Sequence, residues 1–147
     1  MKLSRFLLPG ILITMTLTIW SCSKSSNGKP KISIESINSE IQPGGSLQAE
    51  LKFSGGSKLA QGTFVAIRTR INQIPPQNDL SGTDTLRILI PEFSADKGEL
   101  EFIQPYQGYL HFDDHVNDTL IFKFLVLDAN QISSDTVTAP KVVVINP

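Results

Sequence analysis

Apolar and polar residues alternate with a period of two along most of the chain after residue 31. The clearest run, "SLQAELKF", sets Leu47, Ala49, Leu51 and Phe53 against polar neighbours. Strict alternation over such a length is typical of a β-strand with one buried face. The pattern therefore predicts a half-buried strand in this segment.

The same alternation predicts more short strands, separated by clusters of Gly, Pro, Asn and Asp. In "TLIFKFLVLD" it places Leu120, Phe122, Phe124 and Val126 inward around Lys123. The other candidate strands are "KISIESI", "TFVAIRTRI", "TLRILI", "GELEF", and the closing runs "TVT" and "KVVVI". About seven short strands with such turns, and no convincing helical period, predict an all-β antiparallel sandwich.

Two candidate strands carry details that bear on which side chains are buried. Ile32 and Ile34 share a face, but Ile37 is out of phase with them, which predicts a β-bulge. In "TFVAIRTRI" an apolar face opposes a face with two arginines. The first consists of Val65, Ile67, Thr69 and Ile71, and the second carries Arg68 and Arg70.

Residues 1–21 differ in pattern from the rest of the chain. Lys2 and Arg5 precede a long uncharged apolar run, which ends in small residues at Cys22. This order is typical of a secretory signal peptide. The run is shorter than the about 20 apolar residues that a membrane-spanning helix needs. We therefore expect residues 1–21 to be removed.

The remaining chain divides into a short tether and one domain. Residues 22–31 are polar and unpatterned, so we expect a flexible linker there, followed by a single β-sandwich over residues 32–147. Removing residues 1–21 takes Lys and Arg from 13 to 11 against 14 Asp and Glu, a net charge of −3. Because no basic block is present, we expect no nucleic-acid partner.

The segment Ile19-Trp20-Ser21-Cys22 resembles the lipobox of bacterial lipoproteins. The resemblance implies that the thiol of Cys22 receives a diacylglyceryl group, that the chain is cut before it, and that the new amino terminus is acylated. Two or three acyl chains would anchor the protein stably, since each buried methylene contributes about 0.8 kcal/mol. The alternative, a secreted protein with one unpaired cysteine, would carry a reactive thiol. We expect covalent lipid at Cys22 and no other cofactor.

The segment "FKFLVLDANQISSDTVTAPKVVVI" is similar to the closing strand pair of bacterial immunoglobulin-like domains. With the lipobox, the chain resembles the small immunoglobulin-like lipoproteins of Bacteroidetes-type bacteria. The resemblance implies an immunoglobulin-like β-sandwich held in the cell envelope, at the outer membrane, by its lipid. No acidic run follows Cys22, which favours the periplasmic leaflet over the cell surface.

Both histidines of the chain lie in the acidic segment "HFDDH". Its candidate metal ligands are His111, Asp113, Asp114 and His115. On a helix, histidines four residues apart would share one face. On a strand the two imidazoles would lie about 13 Å apart, from about 3.3 Å per residue, which is too far for one zinc ion. A solvated acidic loop is the alternative interpretation.

Asp128, Asn130 and Asp135, with Asp118 as a further candidate ligand, form a second candidate cation site, for calcium. Hard cations take six to eight oxygen ligands, and these side chains supply fewer. Turn chemistry also accounts for Asp and Asn at such positions. Both interpretations stay open.

Asp-Thr-aliphatic recurs at Thr85, Thr119 and Thr136. The recurrence resembles the O-glycosylation signal of secreted Bacteroidetes proteins, which implies that the threonines are acceptors. The structural alternative is an aspartate that ends a turn before a strand rich in β-branched residues.

The aromatic residues Tyr106, Tyr109 and Phe112 lie close together in "PYQGYLHF" and could stack on a sugar ring. Packing in the core is the alternative. No nucleophile or phosphate-binding motif stands out. We therefore expect a lipid-anchored, non-enzymatic binding or accessory domain with a protein or glycan partner. The alternative is a carbohydrate-binding lipoprotein that uses residues 106–112, and an enzyme comes third.

Overall fold

The computed structural model describes residues 28–55, 59–71, 82–110 and 116–147, which form two packed β-sheets. The described strands are β1 (Lys31–Ile37), β2 (Glu40–Ile41), β3 (Ser46–Ser54), β4 (Thr63–Arg70), β5 (Thr83–Leu89), β6 (Lys97–Pro105), β7 (Asp118–Leu127), β8 (Val137–Thr138) and β9 (Val142–Val144). An irregular π-helical turn, Tyr106–Leu110, follows β6. The predicted all-β sandwich is confirmed.

The first sheet, sheet A, has the order β1-β3-β6, and both of its pairings are antiparallel. On β3 the predicted inward residues, from Leu47 to Phe53 at alternate positions, are all buried. The register of β1 against β3 shifts between Ile34 and Ser36, so the predicted bulge is also confirmed.

The second sheet, sheet B, has the order β2-β9-β7-β4-β5, and β8 also pairs with β7. The inward residues predicted for β7 are all buried. β2 pairs with β9 in parallel, with Glu40 opposite Val143, whereas the alternating pattern led us to expect antiparallel pairs.

The chain changes sheet between β1 and β2, where the side chain of Asn38 donates to the Ser46 carbonyl at 2.9 Å and accepts from the Gln48 amide at 2.7 Å.

Aromatic rings join the two sheets at the centre of the core. Phe102 of sheet A lies 5.4 Å from Phe64 and 5.5 Å from Phe124, both of sheet B, between ring centroids. Phe64 and Phe124 are 5.7 Å apart. Pairs at such distances add about 0.5–1.5 kcal/mol each beyond their burial. This three-ring cluster therefore adds to the attraction between the sheets that burial of the whole core provides.

The turn before β4 approaches the end of β7 so closely that only glycine fits. A Cβ atom on Gly62 would lie 2.2 Å from the Leu127 carbonyl oxygen and 2.8 Å from that of Leu59. Both obstacles are backbone atoms, which cannot rotate away as a side chain can. Gly62 thus fixes where β4 enters the sheet.

β4 buries the face opposite to the one that its apolar pattern suggests. Ala66 lies opposite the buried Phe124, and residues directly opposite each other in a sheet share a face. Phe64, Ala66 and Arg68 therefore point into the sandwich, and all three are buried. Val65, opposite Leu125, lies on the outer face, where it is only 3% exposed.

Candidate functional site

Several predicted site residues lie outside the described residues, so their roles stay predictions. They are Cys22, His111, Phe112, Asp113, Asp114 and His115. Within the described ranges, no three His, Cys, Asp or Glu side chains come together to hold a metal ion. Across the same parts of the chain, no helix has the length and apolar character to span a membrane.

The residues of the candidate calcium site have separate structural tasks. Asp128 is buried, and its Oδ1 accepts the amides of Asn130 and Ile132, both at 2.8 Å. The side chain of Asp135 instead pairs with Lys29. Asp128 therefore closes the turn after β7, as turn chemistry predicts.

The three candidate glycosylation threonines differ in exposure. Thr85 on β5 and Thr136 before β8 are exposed, whereas Thr119 on β7 is only half-exposed. A glycan is bulky and needs a surface position. The structure thus leaves Thr85 and Thr136 better placed than Thr119, and modification of each stays a prediction.

Tyr106 lies inside the sandwich, where it is only 5% exposed. Its hydroxyl is 3.0 Å from the Ile145 carbonyl oxygen and 2.7 Å from Oδ1 of Asn146, so it can donate to either. Burial raises the pKa of Tyr106, and the nearby Asp118 carboxylate adds to the rise. A ring held in this way ties the turn after β6 to the residues that follow β9.

Tyr109 is half-buried and packs against Arg68 of β4. The guanidinium carbon of Arg68 lies 4.6 Å from the ring centroid, a cation–π distance. The Tyr109 hydroxyl is 3.4 Å from the Ala66 carbonyl oxygen. The structure does not bring the two tyrosines together as an exposed platform, and sugar binding by residues 106–112 stays a prediction.

A buried ion pair lies beside these tyrosines. Asp118 is fully buried, and its Oδ1 forms an ion pair with Nε of Arg70. Oδ2 of Asp118 accepts from Nδ2 of Asn146 at 3.2 Å. The neighbouring arginine on β4, Arg68, forms a separate ion pair, with its guanidinium 3.7 Å from Oδ2 of Asp84. We call Arg68, Arg70, Tyr106, Tyr109, Asp118 and Asn146 the polar end of the sandwich.

The polar end was not predicted from the sequence, although the sequence contains one signal for it. Asp118 and Asp128 continue, at either end, the alternate positions that hold the buried apolar residues of β7. A buried carboxylate needs a partner, and Arg68 and Arg70 are spaced two apart on β4, so they share one face. Burial lowers the pKa of Arg68.

The ionisation of Tyr109 gives a direct test of the polar end. Burial raises its pKa to about 12, and the Arg68 cation opposes that rise. Unfolded tyrosine loses its proton near pH 10, so the free energy of unfolding is expected to fall as the pH rises from about 10 to 12. The chain has only two tyrosines. In a Tyr106→Phe variant, we expect tyrosinate absorbance in the near ultraviolet to rise with a midpoint near pH 12.

The Tyr109→Phe variant is the matched control. Its alkaline stability loss should be smaller than that of the Tyr106→Phe variant. A Tyr109 midpoint at the ordinary value of 10.0 would contradict the buried placement of this ring.

The two outer faces of the sandwich differ in character. The outward residues of sheet A are mostly polar, with charges of both signs, and Ile103 is an exposed aliphatic exception. The polar ones are Lys31, Ser33, Gln48, Glu50, Lys52, Ser54, Lys97, Glu99 and Glu101. Lys52 donates to Glu35 at 2.7 Å, and this bond raises the pKa of Lys52. This face is suited to contact with water.

The outer face of sheet B carries a continuous set of aliphatic side chains, which we call the aliphatic face. Two of its members are exposed, Ile71 and Leu89, and five are partly exposed: Ile67, Ile121, Leu125, Leu127 and Val143; Val65 lies beneath them and is only 3% exposed. Leu89 is 71% exposed and Ile71 is 42% exposed, one toward each end of the face. Large apolar patches on soluble proteins commonly mark interaction sites. The aliphatic face is therefore the best candidate functional site among the described residues.

Comparison with known proteins assigns no family. No protein-family model matches the chain, and no curated protein matches it. Among solved structures, it is similar to a β-glucosidase from Listeria innocua, at 12% identity and a TM-score of 0.44, over 80% of this chain and 16% of that one. It is also similar to AvmM, which catalyses macrocyclization in alchivemycin A biosynthesis, at 10% identity and a TM-score of 0.43, over 82% of this chain and 91% of that one.

The chain spans 16% of the length of the β-glucosidase that it matches. At these identities and scores, neither comparison carries an argument about function.

Proposed function

We propose that this chain is a lipid-anchored lipoprotein of the cell envelope whose β-sandwich is a non-enzymatic binding or accessory domain. The observation that supports a binding role is the aliphatic face. An outer sheet face needs no set of aliphatic residues to keep the fold, and the outer face of sheet A carries one exposed aliphatic side chain, Ile103, among the residues that the structure describes. A partner that covers the aliphatic face would remove that surface from water, at about 25 cal/mol per Å².

The proposed anchor is the lipid on Cys22, which lies a few residues before the sandwich begins. β1 starts at Lys31, and the preceding Pro30 is already buried against the domain. The tether would therefore hold the domain close to the bilayer surface. We place the protein at the outer membrane, in the periplasmic leaflet.

The sandwich is proposed to be immunoglobulin-like, and the strand order supports this. In immunoglobulin domains one sheet holds strands A, B and E, and the other holds C, F and G. β1, β3 and β6 form one group here, and β4, β7 and β9 belong to the other. This division of the strands between the two sheets is the observation that supports the immunoglobulin-like assignment.

A Cys22→Ser substitution tests the anchor. The parent protein is expected to pellet with membranes and to incorporate labelled fatty acid. The Cys22→Ser variant should lose the label and move to the soluble fraction, because no other acyl chain would hold it. Ser23→Ala, next to the cysteine, is the matched control and should behave as the parent does. Membrane association of Cys22→Ser equal to that of the parent would refute the proposal.

A further inference from the structure

The outer side of sheet B, with its aliphatic and polar residues together, spans a footprint close to that of a specific protein interface. It extends over the strands of sheet B, which lie about 4.8 Å apart, and along β4, which rises about 3.3 Å per residue. These spacings give about 600 Å², near the about 800 Å² that each partner buries in a standard interface. The size alone does not say what covers it.

Two cations within the face narrow the choice of partner. Arg87 on β5 lies opposite Val65, and Lys123 on β7 lies opposite Ile67, so they stand on either side of β4. Both are exposed, and neither forms an ion pair with another residue in the part of the chain that the structure describes. Each would be desolvated when the face is covered, which is unfavourable unless a carboxylate meets it.

These charges argue against a second copy of the chain as the partner. In a twofold face-to-face dimer, the aliphatic face would meet itself and bring two arginines and two lysines together. The one acid on the outer side of sheet B among the described strands is Glu40 on β2, at the far side of the sheet from β5. Like charges opposed in an interface cost several kcal/mol.

We propose that the aliphatic face docks a different protein, whose contact surface carries apolar side chains beside two carboxylates that pair with Arg87 and Lys123. This inference rests on the proposed function and gives its partner a chemical class. The aliphatic residues would supply the buried area, and the two cations would fix the register of the partner. From the sheet spacings, the carboxylates should lie about 12 Å apart.

Photo-crosslinking tests the proposal with the full-length chain in its source organism. Benzoylphenylalanine replaces Leu89 or Ile71, the most exposed residues of the face, and replaces Glu50 on the outer face of sheet A as the control. We expect adducts with one other protein from the first two positions and none from Glu50. The cross-linked peptide of the partner should contain Asp or Glu.

Charge reversal supplies the decisive comparison. Arg87→Glu combined with Lys123→Glu should lower the adduct yield about tenfold, because each carboxylate then meets a like charge. Lys31→Glu combined with Lys97→Glu changes the net charge equally on sheet A and should leave the yield unchanged. An equal loss from both pairs would overturn the proposal.

The other outcomes are also informative. An adduct of twice the chain mass would mean a second copy, an adduct with lipid would mean a membrane surface, and the absence of any adduct would mean no partner. Each of these overturns the docking proposal. Membrane fractionation of the same cells with the Cys22→Ser control reports separately on the anchor, so failure of the docking proposal is distinguishable from failure of the lipoprotein assignment.

Discussion

Replacement of Asp118 by alanine is expected to lower the free energy of unfolding by about 3–5 kcal/mol. The variant leaves the Arg70 guanidinium buried without its carboxylate, and Asn146 loses an acceptor. A loss of this size is a large fraction of the about 5–15 kcal/mol that stabilises a typical domain. Equilibrium urea unfolding measures it as a lower midpoint.

A second variant, Asp118→Asn, separates the effect of the charge of Asp118 from that of its shape, and Glu101→Ala is the control. Asp118→Asn keeps the shape and one acceptor but removes the charge that faces Arg70. Glu101→Ala removes an exposed carboxylate from sheet A and should change stability by less than about 0.5 kcal/mol. Equal losses from Asp118→Ala and Glu101→Ala would show that the buried ion pair does not stabilise the fold.

The Phe124→Ala substitution is expected to cost about 3–5 kcal/mol as well. Phe124 is fully buried, and its ring contacts those of Phe64, Phe102 and Phe122. Removing it leaves a cavity between the two sheets, and the lining rings lose dispersion contacts that water does not replace. Urea unfolding should show a lower midpoint with an unchanged m-value.

Phe93→Ala is the matched control for this experiment because it deletes the same side chain elsewhere. Phe93 is only half-buried and contacts Phe53 at 5.1 Å between ring centroids. Its loss should destabilise the protein by clearly less than the loss of Phe124. Similar effects of the two substitutions would mean that the three-ring cluster is not the centre of the core.

Much of the architecture could be predicted because the strands of this sandwich alternate cleanly. β3 has one solvated face and one buried face, so its buried positions can be predicted from the alternation of apolar and polar residues. The bulge in β1 was also predictable, since Ile37 breaks the phase that Ile34 sets. In both strands, hydrophobicity and burial coincide.

The inward face of β4 could not be predicted because hydrophobicity and burial diverge there. Its outward residues are aliphatic, and Arg68 and Arg70 point inward beside Asp118. Burial of Arg70 depends on its ion pair with Asp118, which is distant from β4 in the sequence. The parallel pairing of β2 with β9 was equally hidden, since a two-residue strand has no readable period.

The candidate site was missed for the same reason. The predicted sites included residue types that are rare in this sequence, among them Tyr106 and Tyr109. In the structure these two tyrosines make contacts within the domain, with the Ile145 carbonyl and with Arg68. The aliphatic face consists of ordinary strand residues, which become unusual only when their outward direction is known. The face on which each of these side chains lies follows from the register of β4 against β7.

The β2–β9 pairing also constrains when the protein can acquire its shape. Near the start of the sandwich, the Ile41 carbonyl accepts a hydrogen bond from the Ile145 amide, roughly a hundred residues later in the sequence. Contacts between residues so far apart in sequence slow folding. Sheet B therefore cannot be completed until residues 142–144 have been synthesised, and until then β2 has no partner strand among the described ones.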